Sequence, residues 1–593
     1  MLRKSWQPVE RVIAEHPLGV LLAVLVLIGL APHVVFSALH GEIVYYFGAW
    51  DEDIYGYRAV SYDLGAASYQ NRYFSFLALQ ALFWLGQYST DFMYIAADVL
   101  FSLACVGAAY YCVSAVIMDP MKRAVGVLFL LFGSEFLSLS NLAMTPWPIN
   151  APALISLLPD SFQPYVVNNR YTFLYFYRTP EPQVSNIFLL LMLGSLLRLA
   201  EQERFNVFAA GLLFVGCIVS PGFYGPVGVA FGLGVVACGV ACAATRQWDR
   251  VVLFALAVVC AGASVYAWSL LEFPEFDSPI FDSRAPILSV SVLISLMAVI
   301  AIFVKRELFD WQKSLPWIMV GACLFSVIAL NQQVITGKMV QPHVWEKSVT
   351  HLVLALGLML GLLCLSTRRV SAGFISAFAG RMPVVLAAGL GFVMVTHAAG
   401  SALRFPANER SIMQRDLYFK ARDIVGLGEM KVVVPDQSSL FLTRIRGPVS
   451  LVGGYEAMLR TDRQAAFEWA ARRGFTPKDM SHEMISAADK RDEHPWLMMF
   501  FVPLESWWLY SNGRAVDYDD IKSKVPGIVA EYSAWIAALD PAEQQQTLLI
   551  EMSEMPARNN VLGVANEYVG EKLSVYPLVP SVYGYLQSAE TTD

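Results

Sequence analysis

The chain has 593 residues, 56% of them hydrophobic and only 15% charged, with a mean hydropathy of +0.50. That composition excludes an ordinary soluble globular protein and points to an integral membrane protein. A net charge of −7 with no basic run argues against nucleic acid as a partner, because neutralising a phosphate backbone takes clustered Lys and Arg.

In chain order, the first element is an apolar run over about 18–39, preceded by Arg3, Lys4 and Arg11. It is long enough to cross a bilayer and longer than a signal-peptide core, which predicts an uncleaved first span. A dozen residues beyond it stands Trp50-Asp51-Glu52-Asp53-Ile54-Tyr55, three carboxylates where a membrane protein leaves the bilayer. Ionisable groups in that setting are read as functional by default. The competing reading is a solvated acidic turn in which Asp53 caps a helix.

Next comes Tyr73–Tyr88, apolar but only about 16 residues long. A span here would place Lys122 and Arg123 outside, so it is expected to lie in the outer interface, with Trp84 and the tyrosines at headgroup level. Ten further apolar runs follow at about 91–117, 124–140, 184–199, 206–220, 226–245, 251–270, 287–304, 315–331, 348–366 and 383–402, predicting about eleven transmembrane helices. Lys122/Arg123, Arg198/Arg204, Arg246/Arg250, Lys305/Arg306/Lys313 and Arg368/Arg369/Arg381 then fall in alternate loops on the side of Arg3 and Lys4. The positive-inside rule makes that side cytoplasmic. Loops 40–90 and 141–183 and the C-terminal segment are therefore expected outside.

Asn141–Gln183 carries seven prolines, which favour turned or extended backbone over long helices. With irregular backbone needing protein cover or a water-filled cavity at membrane depth, this loop predicts a roofed pocket. From about Phe405 the pattern changes to short apolar strands, Lys431–Val434, Val449–Val452, Met498–Val502 and Thr547–Ile550, with helices between them, one running from Asp462 to Arg473. The expected fold class is a polytopic α-helical membrane protein with a C-terminal soluble α/β domain, divided as 1–402 and 403–593. All eight cysteines lie in apolar runs without the spacing of a zinc or redox site, and read as small core residues.

The layout, with Asp51-Glu52-x-x-Tyr55 after a first span, an interfacial helix, a second outer loop and a terminal soluble domain, resembles the GT-C superfamily of membrane glycosyltransferases. The resemblance implies a polyprenyl-phosphate-linked sugar as donor, a glycan, lipid or protein as acceptor, inversion at the anomeric carbon, and Asp51 or Glu52 as general base. The chemistry of the residues agrees. Glycosyl transfer through an oxocarbenium-like state needs a carboxylate on one face and cations near the leaving phosphate, and repulsion between adjacent carboxylates makes one of them hold a proton more readily.

Cations are scarce in the outer loops, which makes each a candidate: Arg58, Arg72, Arg170, Arg178, Arg284, Lys338, His343 and Arg404. Lys338 and His343 flank the polar entry to a later span and could clamp a phosphate, against an ordinary interfacial loop in which Lys338 snorkels. In Tyr177-Arg178-Thr179-Pro180-Glu181-Pro182-Gln183 two prolines fix the directions of Arg178 and Glu181, as substrate contacts or as a mutual ion pair. The expected site is thus Asp51 and Glu52 for catalysis, with Asp53, Tyr55, Arg72, Arg178, Glu181, Lys338, His343 and Arg404 for binding.

Asp98 and Glu135, within or at the edge of spans, are expected to line the acceptor path, to bind a divalent cation with the acidic cluster, or to pair with an outer-loop Arg. No cofactor is otherwise called for. His33, His351 and His397 stand singly in apolar runs and read as packed or hydrogen-bonded side chains rather than ligands. In the terminal domain, Glu505-Ser506-Trp507-Trp508-Leu509-Tyr510 offers aromatic faces for sugar stacking or for core packing, and Gly453-Gly454 lacks a phosphate-loop pattern. The leading expectation is a transferase in a bacterial inner membrane, N-terminus cytoplasmic and C-terminal domain periplasmic. Its alternatives are a ligase using a lipid-linked oligosaccharide and a lipid or polysaccharide transporter.

Overall fold

The computed structural model describes residues 11–46, 73–137, 165–166, 180–202, 204–270, 280–282, 284–340, 345, 349–367, 381–425, 431–433, 467, 470, 475–489, 518–538, 547–552, 568–570 and 573–577. The chain divides into two compact units, Met1–Phe276 with Phe281–Leu403, and Asp277–Ile280 with Arg404–Asp593.

The first unit is built from helices: α1 (Pro17–His40), α2 (Tyr73–Leu85), α3 (Thr90–Val113), α4 (Pro120–Leu137), α5 (Gln183–Glu201), α6 (Val207–Val219), α7 (Gly225–Ala244), α8 (Trp248–Ser269), α9 (Val290–Val304), α10 (Ser314–Asn331), α11 (His351–Thr367) and the start of α12 (Met382–Val425). Each apolar run read from the sequence forms one of these helices. Among the described residues, seven helical segments are long and apolar enough to cross a membrane: α1, α3, α5, α7, α8, α10 continued to Thr336, and α12 as far as Pro406. The helices around positions 207–222, 291–304 and 351–365 are apolar but shorter. So is α2, whose 13 residues span about 20 Å, less than the roughly 30 Å hydrocarbon core.

Local chemistry sets the helix starts. Ser89 Oγ accepts from Phe92 N (3.2 Å), Asn206 Oδ1 from Ala209 N (2.9 Å) and Ser289 Oγ from Val292 N (3.2 Å). Each such cap contributes about 1 kcal/mol. Proline in the first turn of α1 and α7 costs no hydrogen bond there, and Gly41, at φ 70°, ends α1 in the left-handed conformation.

Burial separates central from peripheral helices. In the most apolar window of α5, 83% of residues are buried, against 17% in α8 and α12. Helix α5 packs on α3, α6 and α7, while α10 packs on α7, α9 and α11. Gly194 of α5 is where α3 comes closest: a Cβ there would lie 2.8 Å from Cys112 Cα and 2.7 Å from the Tyr111 ring. All eight cysteines are free thiols and six are fully buried, as small core residues should be.

In the second unit four strands, β1 (Lys431–Val433), β2 (Thr547–Met552), β3 (Tyr568–Gly570) and β4 (Leu573–Pro577), form a sheet in the order β1-β2-β4-β3. β1 and β2 run parallel, and β4 runs antiparallel to β2 and β3. Helices α13 (Pro477–Asp489) and α14 (Tyr518–Ala537) pack together. Thr476 caps α13 reciprocally with Asp479: Asp479 N donates to Thr476 Oγ1 (3.1 Å) and Thr476 Oγ1 to Asp479 Oδ2 (2.8 Å). Tyr532 is fully buried and donates its hydroxyl to Phe475 O at 2.7 Å. The strands expected at 431–434 and 547–550 are present with small shifts, and those at 449–452 and 498–502 lie outside the described residues. Of the helix expected from Asp462 to Arg473, the described Phe467 and Ala470 are helical.

Candidate functional site at the root of the first outer loop

The segment that leads into the acidic cluster leaves α1 through Gly41 and is tied down at every residue from Val44 to Tyr46. Ser37 Oγ accepts from Val44 N (3.0 Å) and donates to Val44 O (3.1 Å), closing the turn on α1 itself. Tyr45 N donates to Asp91 Oδ1 at 2.7 Å. Asp91 sits in the first turn of α3, where a carboxylate is favoured by the helix dipole.

Tyr46 N donates to His33 Nδ1 at 3.0 Å, and His33 Nε2 lies 2.9 Å from Asp98 Oδ2. A backbone N–H can only donate, so Nδ1 is the acceptor and Nε2 carries the proton that Asp98 accepts. His33 and Asp98 are 4% and 6% exposed, so this charge-assisted hydrogen bond forms away from water and is correspondingly strong. The Tyr45 ring is stacked between His33 (centroids 4.9 Å apart) and Tyr94 (4.6 Å). The Tyr46 hydroxyl donates to Ser401 O of α12. Three helices distant in sequence, α1, α3 and α12, thus converge on Tyr45 and Tyr46.

Asp51 follows Tyr46 by five residues, a reach of at most about 18 Å of chain. Asp51, Glu52, Asp53 and Tyr55 themselves lie outside the described residues, as do Arg72, Arg178 and His343. The same holds for the Glu135 side chain.

Glu181 is 4% exposed and sits just before α5. Its Oε1 accepts from Ser185 Oγ (2.8 Å) and from Ser75 Oγ of α2. Ser185 Oγ also accepts from Tyr224 N at 3.3 Å. Beside it, Gln183 O accepts from the Cys105 thiol and Gln183 Nε2 donates to Ser102 Oγ (both 3.3 Å). Glu181 is therefore a buried acceptor tying α2 to the start of α5.

Lys338 is exposed, and its carbonyl accepts from Gln332 Nε2 at 2.7 Å. The polar loop around it is closed by Arg284, whose Nη1 donates to Val334 O (3.0 Å) and Ile335 O (2.9 Å), and by buried Gln333, whose Nε2 donates to Ala285 O (3.0 Å). Gly337 at φ 77° makes the turn, and a Cβ there would meet the Arg284 guanidinium at 3.3 Å. Arg404 opens the second unit within α12, half-buried, with its carbonyl accepting from Asn408 Nδ2 at 3.3 Å. Glu181, Lys338 and Arg404 thus stand on three separate elements.

Asp98 has His33 as one partner, a pairing that the sequence did not suggest. Among the described residues no three His, Cys, Asp or Glu side chains converge to hold a metal ion. The His33–Asp98 pair is the feature that reading each group singly misses. The available signal was depth: His33 lies seven residues before the end of α1 and Asp98 eight after the start of α3, which at 1.5 Å per residue puts both about 10–12 Å below adjoining helix ends.

Comparison with protein-family models, with curated proteins and with solved structures finds no match.

Proposed function

We propose that the chain is a membrane glycosyltransferase that moves a sugar from a polyprenyl-phosphate carrier to a glycan, lipid or protein acceptor at the periplasmic face of a bacterial inner membrane. Asp51 or Glu52 takes the acceptor hydroxyl's proton as its oxygen attacks the anomeric carbon, and the bond to the phosphate oxygen breaks with inversion. Asp53, Tyr55, Arg72, Arg178, Lys338, His343 and Arg404 are the residues of the outer segments available to bind donor and acceptor.

One observation carries this reading: the chain entering the acidic cluster is held rigidly, with Tyr45 and Tyr46 fixed to Asp91, His33 and Ser401. A solvated acidic turn needs no such root, whereas a general base has to be positioned to within a fraction of an ångström. The helix ends also meet as alternation of spans requires. The C-terminal end of α1, the first turn of α3 and Ser401 within α12 meet at Tyr45 and Tyr46, and at the far end of α5 Arg250 and Ser314 donate to Ala200 O.

The His33–Asp98 pair bears on the transporter alternative, since buried ionisable pairs relay protons in transporters. Here Nδ1 is already engaged by Tyr46 N–H, so a second proton on His33 would break the loop's root. That favours a positioning role over a relay.

The test is transfer itself. The purified chain, given a synthetic polyprenyl-phosphate sugar and a mixed acceptor pool without nucleotide, should release polyprenyl phosphate and form a product of inverted anomeric configuration by NMR. Donor left intact under all acceptors, with donor lipid flipped across vesicles instead, contradicts the proposal.

A further inference from the structure

At the helix ends opposite the loop root, two guanidinium groups share a corner. Arg198, in the last turn of α5, is 9% exposed; its guanidinium carbon lies 3.7 Å from the centroid of the Tyr111 ring, and it donates to Ser114 Oγ (2.7 Å) and Gly194 O (3.1 Å). Arg123, in the first turn of α4, donates to Ile117 O (2.6 Å), to the Tyr110 hydroxyl (2.9 Å) and, weakly, to Met118 Sδ (3.7 Å). Both guanidinium groups hold the end of α3 and the turn after it, Arg198 at Tyr111 and Ser114 and Arg123 at Tyr110 and Ile117.

Among the described residues neither pairs with a carboxylate. Asp119, the nearest acid in sequence to Arg123, accepts from Lys122 N instead. Each guanidinium offers five N–H donors, so donors remain on both. Two like charges held together without a counter-charge, one of them buried, are costly. An anion with several acceptor oxygens resolves that cost.

The surroundings define the anion. Large apolar side chains at the corner are exposed: Met118, which Arg123 touches, is 81% exposed and Phe208 is 66% exposed. The Phe208 ring meets Tyr111 edge-on at 6.4 Å. A soluble phosphate has no use for that flank, but acyl chains do. The corner also closes the ends of α3 and α5, two helices long and apolar enough to cross a membrane.

We infer that Arg123 and Arg198 form a binding site for the phosphate headgroup of an anionic phospholipid, whose chains run along Met118 and Phe208. Arginine suits it because its planar fork binds phosphate oxygens two at a time. The inference is independent of the transfer reaction.

The test uses the full chain in neutral detergent, with phosphatidylglycerol and phosphatidylcholine of equal chain length titrated separately and bound lipid counted by native mass spectrometry. Phosphatidylglycerol should bind roughly tenfold more tightly than phosphatidylcholine. Arg123→Gln and Arg198→Gln should each remove that preference, and Arg123→Lys should restore part of it by keeping the charge. Should Arg198→Gln fail to fold, Arg123→Gln, on a half-buried side chain, carries the test alone. Equal binding of the two lipids by the parent chain, or a preference unchanged in Arg123→Gln, overturns the inference. So does displacement of the lipid by inorganic phosphate at matching concentration, which would assign the corner to a soluble anion.

Discussion

His33 and Asp98, 65 residues apart, meet through a 2.9 Å hydrogen bond in the apolar interior, and the other nitrogen of the same ring holds the backbone of Tyr46. The imidazole thus converts the packing of α3 against α1 into a fixed exit direction for the chain beyond α1. Loss of the ring breaks both bonds and loss of the carboxylate breaks one, and that asymmetry can be measured.

Replacing His33 with Leu removes two buried hydrogen bonds at once, the one to Asp98 Oδ2 and the one from Tyr46 N, and should lower stability by about 3–5 kcal/mol. Asp98→Leu leaves a neutral N–H unpaired and should cost less, about 1–3 kcal/mol. Thermal unfolding of the purified variants should therefore rank parent, Asp98→Leu, His33→Leu in falling order. The reverse order would mean the bond is not the main role of Asp98.

Tyr46→Phe removes one hydroxyl bond to Ser401 O and leaves the ring in place. The stability loss should be small, about 1 kcal/mol. If the loop root positions the acidic cluster, sugar transfer should fall far more than stability does, roughly tenfold or beyond, with kcat affected more than KM. Parallel small losses in both would reduce Tyr46 to a packing residue.

Glu181 accepts two serine hydroxyls at one oxygen. Gln keeps an acceptor of the same shape, so Glu181→Gln should unfold within a few degrees of the parent chain. Glu181→Leu strands the hydroxyls of Ser75 and Ser185 and should cost about 2–4 kcal/mol. A severe defect in the Gln variant would show that the negative charge itself is required at that position.

At Gly194 the obstacle is backbone as well as side chain: an added Cβ would meet Cys112 Cα at 2.8 Å. Gly194→Ala should push α3 away from α5 and cost about 1–3 kcal/mol despite the better helix propensity of alanine. Gly211→Ala, where nothing lies within 4 Å of the added carbon, is the matched control and should be neutral or slightly stabilising in the same unfolding measurement.

Helix positions were legible in the sequence because each apolar run is closed by charges, prolines or caps. α1, α5 and α10 begin and end within a few residues of the runs at 18–39, 184–199 and 315–331. The far end of α12 was not legible: the apolar run ends at about 402 and the pattern changes from about Phe405, yet the helix continues to Val425. The sequence turns polar from Asn408 onward, and hydropathy detects only the apolar half of such a helix. Strands β3 and β4 are short and were recognisable only by pairing with β2, a tertiary relationship. For the site, sequence pointed to the acidic cluster by its chemistry but not to its anchor, because His33, Asp91, Asp98 and Ser401 have no shared motif. Their association is set by the depth and packing of α1, α3 and α12.

The central claim is that a carboxylate just beyond the anchored Tyr46 accepts the proton of the attacking hydroxyl. The most direct measurement is the rate of sugar transfer from a polyprenyl-phosphate donor by purified Asp51→Asn, Glu52→Gln and the double variant, each shown to be folded by its unfolding transition. The account predicts that one single variant and the double variant lose transfer by a factor of about 100 or more, the scale of general-base catalysis. Near-normal turnover in the folded double variant would contradict it.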